Sequence, residues 1–113
     1  MENKLNRKLT DTELEIAAKK MILLRWDNYG DPINMLCKIA NKWTDILPID
    51  LNYSFTAADV AKMMALLKQC RLSFKPSTDS QIDKRSYEIL ESICMDKYKD
   101  DAFIEQLRKR LDS

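Results

Sequence analysis

The sequence predicts an all-α fold: a single-domain bundle of four main helices plus a short C-terminal amphipathic helix. Three observations predict it. Only one glycine and three prolines punctuate 113 residues, so long stretches lack the residues that break helices. Apolar side chains recur three and four residues apart instead of alternating, which lines one face of a helix and not of a strand. Capping signals stand at the starts of those stretches. No repeat, low-complexity segment or linker divides the chain, so residues 1–113 read as one helical domain.

Each element has its own signal. Residues 1–9 precede the first cap and are expected to be flexible. Thr10-Asp11-Thr12-Glu13 has the form of a capping box, in which the threonine hydroxyl and the glutamate carboxylate each take a first-turn amide. The helix behind it runs to about Asp27, and Gly30 suits the residue that follows a helix end. Asp31-Pro32 opens the second helix, because aspartate caps and proline fits the first helical position. Its apolar face is Ile33, Leu36, Cys37, Ala40, Trp43, Ile46 and Leu47, and Pro48 ends it.

Residues 48–55 form the longest connection, with Leu51, Tyr53 and Phe55 expected to pin it to the core. Thr56-Ala57-Ala58-Asp59 is a second box-like start, and a strongly apolar helix follows to about Phe74. Met63 and Met64 read as core there, as does Trp43, while Trp26 reads as core edge or interface. A turn at Lys75–Thr78 leads to a fourth helix from about Asp79-Ser80. A break near Asp96–Asp100 precedes the last helix, 99–112, whose stripe is Phe103, Ile104, Leu107 and Leu111. That stripe serves either its own bundle or a second copy, so a homodimer is one expectation.

Composition excludes several functions. There is no histidine, so Ser-His-Asp and Cys-His chemistry are absent. Cys37, Cys70 and Cys94 are odd in number and widely spaced, which predicts buried free thiols and not disulfides or zinc ligands. A net charge of +1 implies no bulk nucleic-acid binding. No apolar run approaches the roughly 20 residues that span a bilayer. The polar stretch Met1–Lys8 carries no secretory signal, so the expected compartment is the cytoplasm.

Four charges fall on apolar stripes: Arg25, Asp59, Arg71 and Asp83. Arg25 follows Leu14, Ala18 and Met21; Asp59 precedes Met63 and Leu67; Arg71 follows Val60, Met64 and Leu67; Asp83 precedes Tyr87, Leu90 and Cys94. A charge in that position is normally paired, neutralised or turned to a ligand. The four predict either an internal ion network or a polar cleft between helices. Asp79 and Asp83 stand four residues apart and could reach one divalent cation, with Asp59 as a third ligand from a neighbouring helix. Asp79 also reads as a first-turn acid.

Four motifs stand in fixed order over residues 14–95. They are Arg25-x-x-x-Tyr29-Gly30-Asp31-Pro32, Ile39-Ala40-x-x-Trp43, Asp59-Val60-Ala61-x-Met63-Met64-x-Leu66-Leu67-Lys68-x-x-Arg71, and Asp79-Ser80-x-x-Asp83-x-x-x-Tyr87. Together they resemble a group of small phage and prophage proteins, and more distantly the all-α, MazG-like nucleoside triphosphate pyrophosphatases. The resemblance implies a ligand- or partner-binding set of Arg25, Tyr29, Asp31, Asp59, Lys68, Arg71, Asp83 and Tyr87. It also implies a location in the host cell cytoplasm during infection. Two departures stand out: Ser86 where the group tends to carry glycine, and no E-x-x-E with E-x-x-D on successive helices.

Three functions follow as expectations. The first is a phage accessory protein that binds a host defence protein or a nucleotide-like small molecule without turnover and without a cofactor. The second is a MazG-like, Mg²⁺-dependent nucleotide pyrophosphohydrolase. In that case Asp59, Asp79 and Asp83 would hold the metal, and Lys68 and Arg71 would neutralise phosphate. The third is a structural or assembly protein whose arginines and aspartates only order the bundle.

Overall fold

Each helix begins where a side chain can take up the free amides of its first turn. In the computed structural model, which describes residues 7–112, α1 (Asp11–Tyr29) opens on the reciprocal box of Thr10 and Glu13. α2 (Pro32–Asp45) opens on Asp31, whose Oδ1 accepts from the Ile33 amide at 2.8 Å. α3 (Ala57–Phe74) repeats the box with Thr56 and Asp59. α4 (Thr78–Cys94) starts slightly ahead of the expected position, because Ser77 is its cap and accepts from the Ser80 amide. α5 (Asp101–Asp112) starts at Asp100, which accepts from the Phe103 amide at 3.0 Å. One 3-10 turn, Ile49–Leu51, lies between α2 and α3, and there is no strand among the described residues.

Gly30 ends α1 with φ 91° and ψ −172°, a region open essentially to glycine. Its amide donates to the Trp26 carbonyl at 2.8 Å, and the chain turns directly into α2. The short connection after Phe74 folds α4 back along α3, and these two helices pack more extensively than any other pair. Small side chains are buried on both: Val60, Ala61 and Ala65 on α3, and Thr78, Ser80 and Ser86 on α4. α1 crosses α4 at Ala18 and Ile22, and α2 closes the core with Leu36 and Ala40. Ile89 and Leu90 of α4 sit at the centre.

α5 belongs to its own bundle. Phe103 and Leu107 are buried in the common core, Tyr98 packs edge-to-face on Phe103, and Lys19 pairs with Asp100. The Tyr98 hydroxyl donates to Glu15 at 2.5 Å, and Arg85 Nε reaches the same carboxylate at 2.8 Å. These bonds tie the α4–α5 connection to α1. Burial pushes the Glu15 carboxyl up, but the Tyr98 hydroxyl and the Arg85 guanidinium overcome it and hold the group below its ordinary range.

Several sequence expectations are corrected here. Residues 1–6 of the expected flexible segment lie outside the described residues, but residues 7–9 are tied down: the Leu9 amide donates to Gln81 Oε1 and Gln81 Nε2 donates to the Arg7 carbonyl. α2 stops at Asp45, so Ile46 and Leu47 fall outside it and Ile46 is exposed. Leu51 and Tyr53 are exposed; Phe55 anchors the connection against Trp43 and through its amide to Thr44 Oγ1, and Tyr53 is held at the surface by Phe55 and Asp59. Cys37 and Cys70 are exposed rather than buried, and Cys94 is half-buried, with burial pushing its thiol up. Met63 is exposed while its neighbour Met64 packs on the core. Periodicity had placed these residues on apolar faces; it could not say which faces have a neighbour.

Candidate functional site

Two of the four stripe charges meet. Arg25 of α1 donates through Nη2 to Asp83 Oδ1 of α4 at 2.8 Å, and Lys68 Nζ of α3 reaches Asp83 Oδ2 at 3.1 Å. The Asp83 and Lys68 side chains are 13% and 15% exposed, and Arg25 is 38% exposed. Three helices are therefore joined through one carboxylate. Two cations against one anion leave the cluster with a net positive charge, and both carboxylate oxygens are already engaged.

A cavity of about 310 Å³ adjoins this cluster. Its lining comes from α1 (Ile22, Arg25, Tyr29), the turn and start of α2 (Gly30, Pro32, Met35, Leu36, Ile39), α3 (Met64) and α4 (Ser86, Tyr87, Leu90). Met64 stands one turn before Lys68, and Tyr87 one turn after Asp83, so the ion cluster caps one side of the cavity. The walls are mostly aliphatic or aromatic, and Arg25 is the cationic group among them. Tyr29 is 75% exposed at the mouth, while Tyr87 is half-buried against the core. The volume is at the low end of small-molecule sites, which run from roughly 300 to 1,000 Å³.

The other predicted site residues lie elsewhere. Asp59 caps α3: its Oδ2 accepts from the Thr56 amide at 3.0 Å and from the Tyr53 hydroxyl at 2.5 Å. The Tyr53 hydroxyl, then the Thr56 amide, hold it below the usual carboxylate range. Arg71 is exposed beside Leu67, Cys70, Phe74 and Lys75 and forms no ion pair among the described residues. Asp31 is occupied as the α2 cap. Asp79 is an exposed first-turn acid of α4.

The proposed metal set is therefore not assembled. Asp59 lies nine residues before Lys68, about 13 Å along the axis of α3 at 1.5 Å per residue, and Lys68 is what touches Asp83. Among the described residues no group of three or more acidic, cysteine or histidine side chains could hold a metal ion. The residues present do not fit a Mg²⁺ centre of that kind.

Sequence reasoning named Arg25, Tyr29 and Tyr87 but treated Gly30, Pro32, Met64 and Ser86 as motif or core. Ser86 shows why a small residue stands there. It is buried where α4 crosses α1, and its hydroxyl donates to the Ile82 carbonyl at 2.8 Å and the Ala18 carbonyl at 3.3 Å. A glycine would permit the same close crossing. The apolar lining had no signal beyond periodicity, because a wall residue and a core residue look alike in sequence.

The arrangement offers an apolar chamber with a cationic rim. No curated protein and no solved structure matches the chain. A family model described as a domain of unknown function matches residues 13–95, the span that carries the cavity and the ion cluster, and the chain belongs to that family, DUF6378.

Proposed function

We propose that the protein is a binding protein that takes a nucleotide-like small molecule in the Arg25 cavity without turning it over. The observation that carries this reading is the convergence of Arg25, Tyr29, Gly30, Pro32, Met64, Ser86 and Tyr87, from four helices and a turn, on one chamber beside a cationic cluster. A ring the size of a nucleobase fits walls of methionine, leucine and tyrosine. An anionic substituent would lie at Arg25, with Lys68 adding to the positive field. The same net positive charge opposes a divalent cation, which supports binding over the pyrophosphohydrolase alternative. In a phage-borne protein, such binding would withdraw a nucleotide-like signal from a host defence, acting in the host cytoplasm.

Calorimetry against a panel of nucleoside mono-, di- and triphosphates tests this reading. The expected result is saturable binding to one class, reduced at least tenfold by Arg25→Ala, and no release of phosphate or pyrophosphate with Mg²⁺ or Mn²⁺. Metal-dependent hydrolysis lost in Asp83→Asn would replace this reading by the enzyme alternative. Absence of binding across the panel would remove it.

A further inference from the structure

We infer that the outer face of α3 is a docking surface for a second copy of this chain, with the two α3 helices antiparallel across a two-fold axis. The inference is independent of the ligand reading. α3 is apolar on both sides. Its inner side packs on α4 and α2, but Met63, Leu66, Leu67, Cys70 and Phe74 are exposed, Phe74 at 85%. Large apolar side chains exposed together on one side of a helix mark an interaction surface, and here Lys62, Gln69 and Ser73 border it on one edge. Asp59, Met63, Leu66 and Cys70 follow one another at spacings of four, three and four, the period of a helix–helix seam. Leu67, Arg71 and Phe74 flank that seam on one side.

The face carries its own charge complement, and that selects a second copy as the occupant. Asp59 lies at the amino-terminal end of the seam, and Arg71 stands twelve residues later, about 18 Å along the axis. A two-fold axis crossing α3 midway between them, at the level of Ala65, places Arg71 of each copy opposite Asp59 of the other. Met63 then faces Leu67 of the other copy, and the two Leu66 side chains meet near the axis. Each end of the molecule is ready for this pairing. Among the described residues Arg71 has no ion-pair partner and Asp59 accepts from Tyr53 and Thr56 through Oδ2, with no bond to Oδ1. An isologous contact of this kind needs one self-complementary patch, which α3 supplies.

Sedimentation equilibrium of the full chain tests it. The expected species is a dimer, and Leu66→Glu should give a monomer whose helical circular dichroism is unchanged. Arg71→Glu should raise the dimer dissociation constant by roughly tenfold or more. Should Leu66→Glu fail to fold, Leu66→Cys in a Cys37→Ser, Cys70→Ser background gives a second reading. It should form a disulfide-linked dimer on mild oxidation, while Glu105→Cys on α5 should not. A chain that stays monomeric at every concentration overturns the inference. So does a dimer that survives both Leu66→Glu and Arg71→Glu, or one linked through α5.

Discussion

Both sides of α3 carry apolar residues, and the two sets meet opposite fates. Inside are Val60, Ala61 and Ala65, all buried, with Lys68 held on Asp83. Outside are Met63, Leu66, Leu67 and Phe74, all larger and all exposed. The usual order, large residues in and small ones out, is reversed. Close approach explains it. Small residues buried on both α3 and α4, among them Ala61, Ala65 and Ser80, let helices pack tightly, and bulky side chains would force them apart. The comparison teaches that apolarity decides which residues share a face, and the neighbouring backbone decides which face is buried. It also separates the four stripe charges. Arg25 and Asp83 lie where three helices converge. Arg71 is exposed with no ion-pair partner among the described residues, and Asp59 is held by Tyr53 and Thr56 at the start of α3.

The largest expected difference is in those charges. Asp83→Ala leaves Arg25 and Lys68 facing each other without their shared anion. Breaking a buried pair costs about 3–5 kcal/mol, and the partial exposure of Arg25 reduces that to roughly 2–3 kcal/mol here. Arg71→Ala, measured in the Leu66→Glu monomer, should change stability by less than about 0.5 kcal/mol, as surface substitutions do. Urea denaturation of both variants checks the contrast. Equal losses would mean that Arg71 has an internal role and that the two sides of α3 are alike.

A size test sharpens the same comparison. Ala65→Leu drives a large side chain between α3 and α4 and should destabilise by about 1–3 kcal/mol. Leu66→Ala, one residue away on the other side, should leave the monomer within about 0.5 kcal/mol. Thermal unfolding at matched concentration reads both, with the Leu66→Glu background removing any contribution from association.

Much of this was legible in the sequence where the physics is local. The caps at Thr10, Asp31 and Thr56 depend on residues within one turn, and each stands as expected. Arg25 and Asp83 were traced by periodicity because both continue stripes that do face the core. Asp59 carried two signals, a stripe charge and the fourth residue of a capping box, and the structure gives it the box. Local hydrogen bonds within a few residues outweigh a distant partner there. What could not be read was the exposure of Cys37, Cys70, Met63 and Leu67, because it depends on which helix lies opposite, and that is a property of the whole packing. The cavity was half legible: its polar rim appeared in the motifs, its apolar walls did not.

The smallest expected effect is a dependence on acid. In the fold, the Asp59 carboxyl lies below its ordinary 3.8 because the Tyr53 hydroxyl, then the Thr56 amide, donate to it. A group whose pKa is depressed on folding stabilises the protein above its unfolded value and loses that contribution as pH falls through its folded value. The stability gap between the Leu66→Glu monomer and the same chain with Asp59→Asn should therefore be steady above about pH 4 and shrink below it. Tyr53→Phe removes the first donor and returns the folded value toward 3.8, so the loss should be smaller and complete at a higher pH. In the dimer, Arg71 of the second copy would hold Asp59 by charge as well, and the acid loss should be larger and extend to lower pH. An acid loss of the same size and range in dimer and monomer would place that guanidinium away from Asp59 and break the pairing across the two-fold axis.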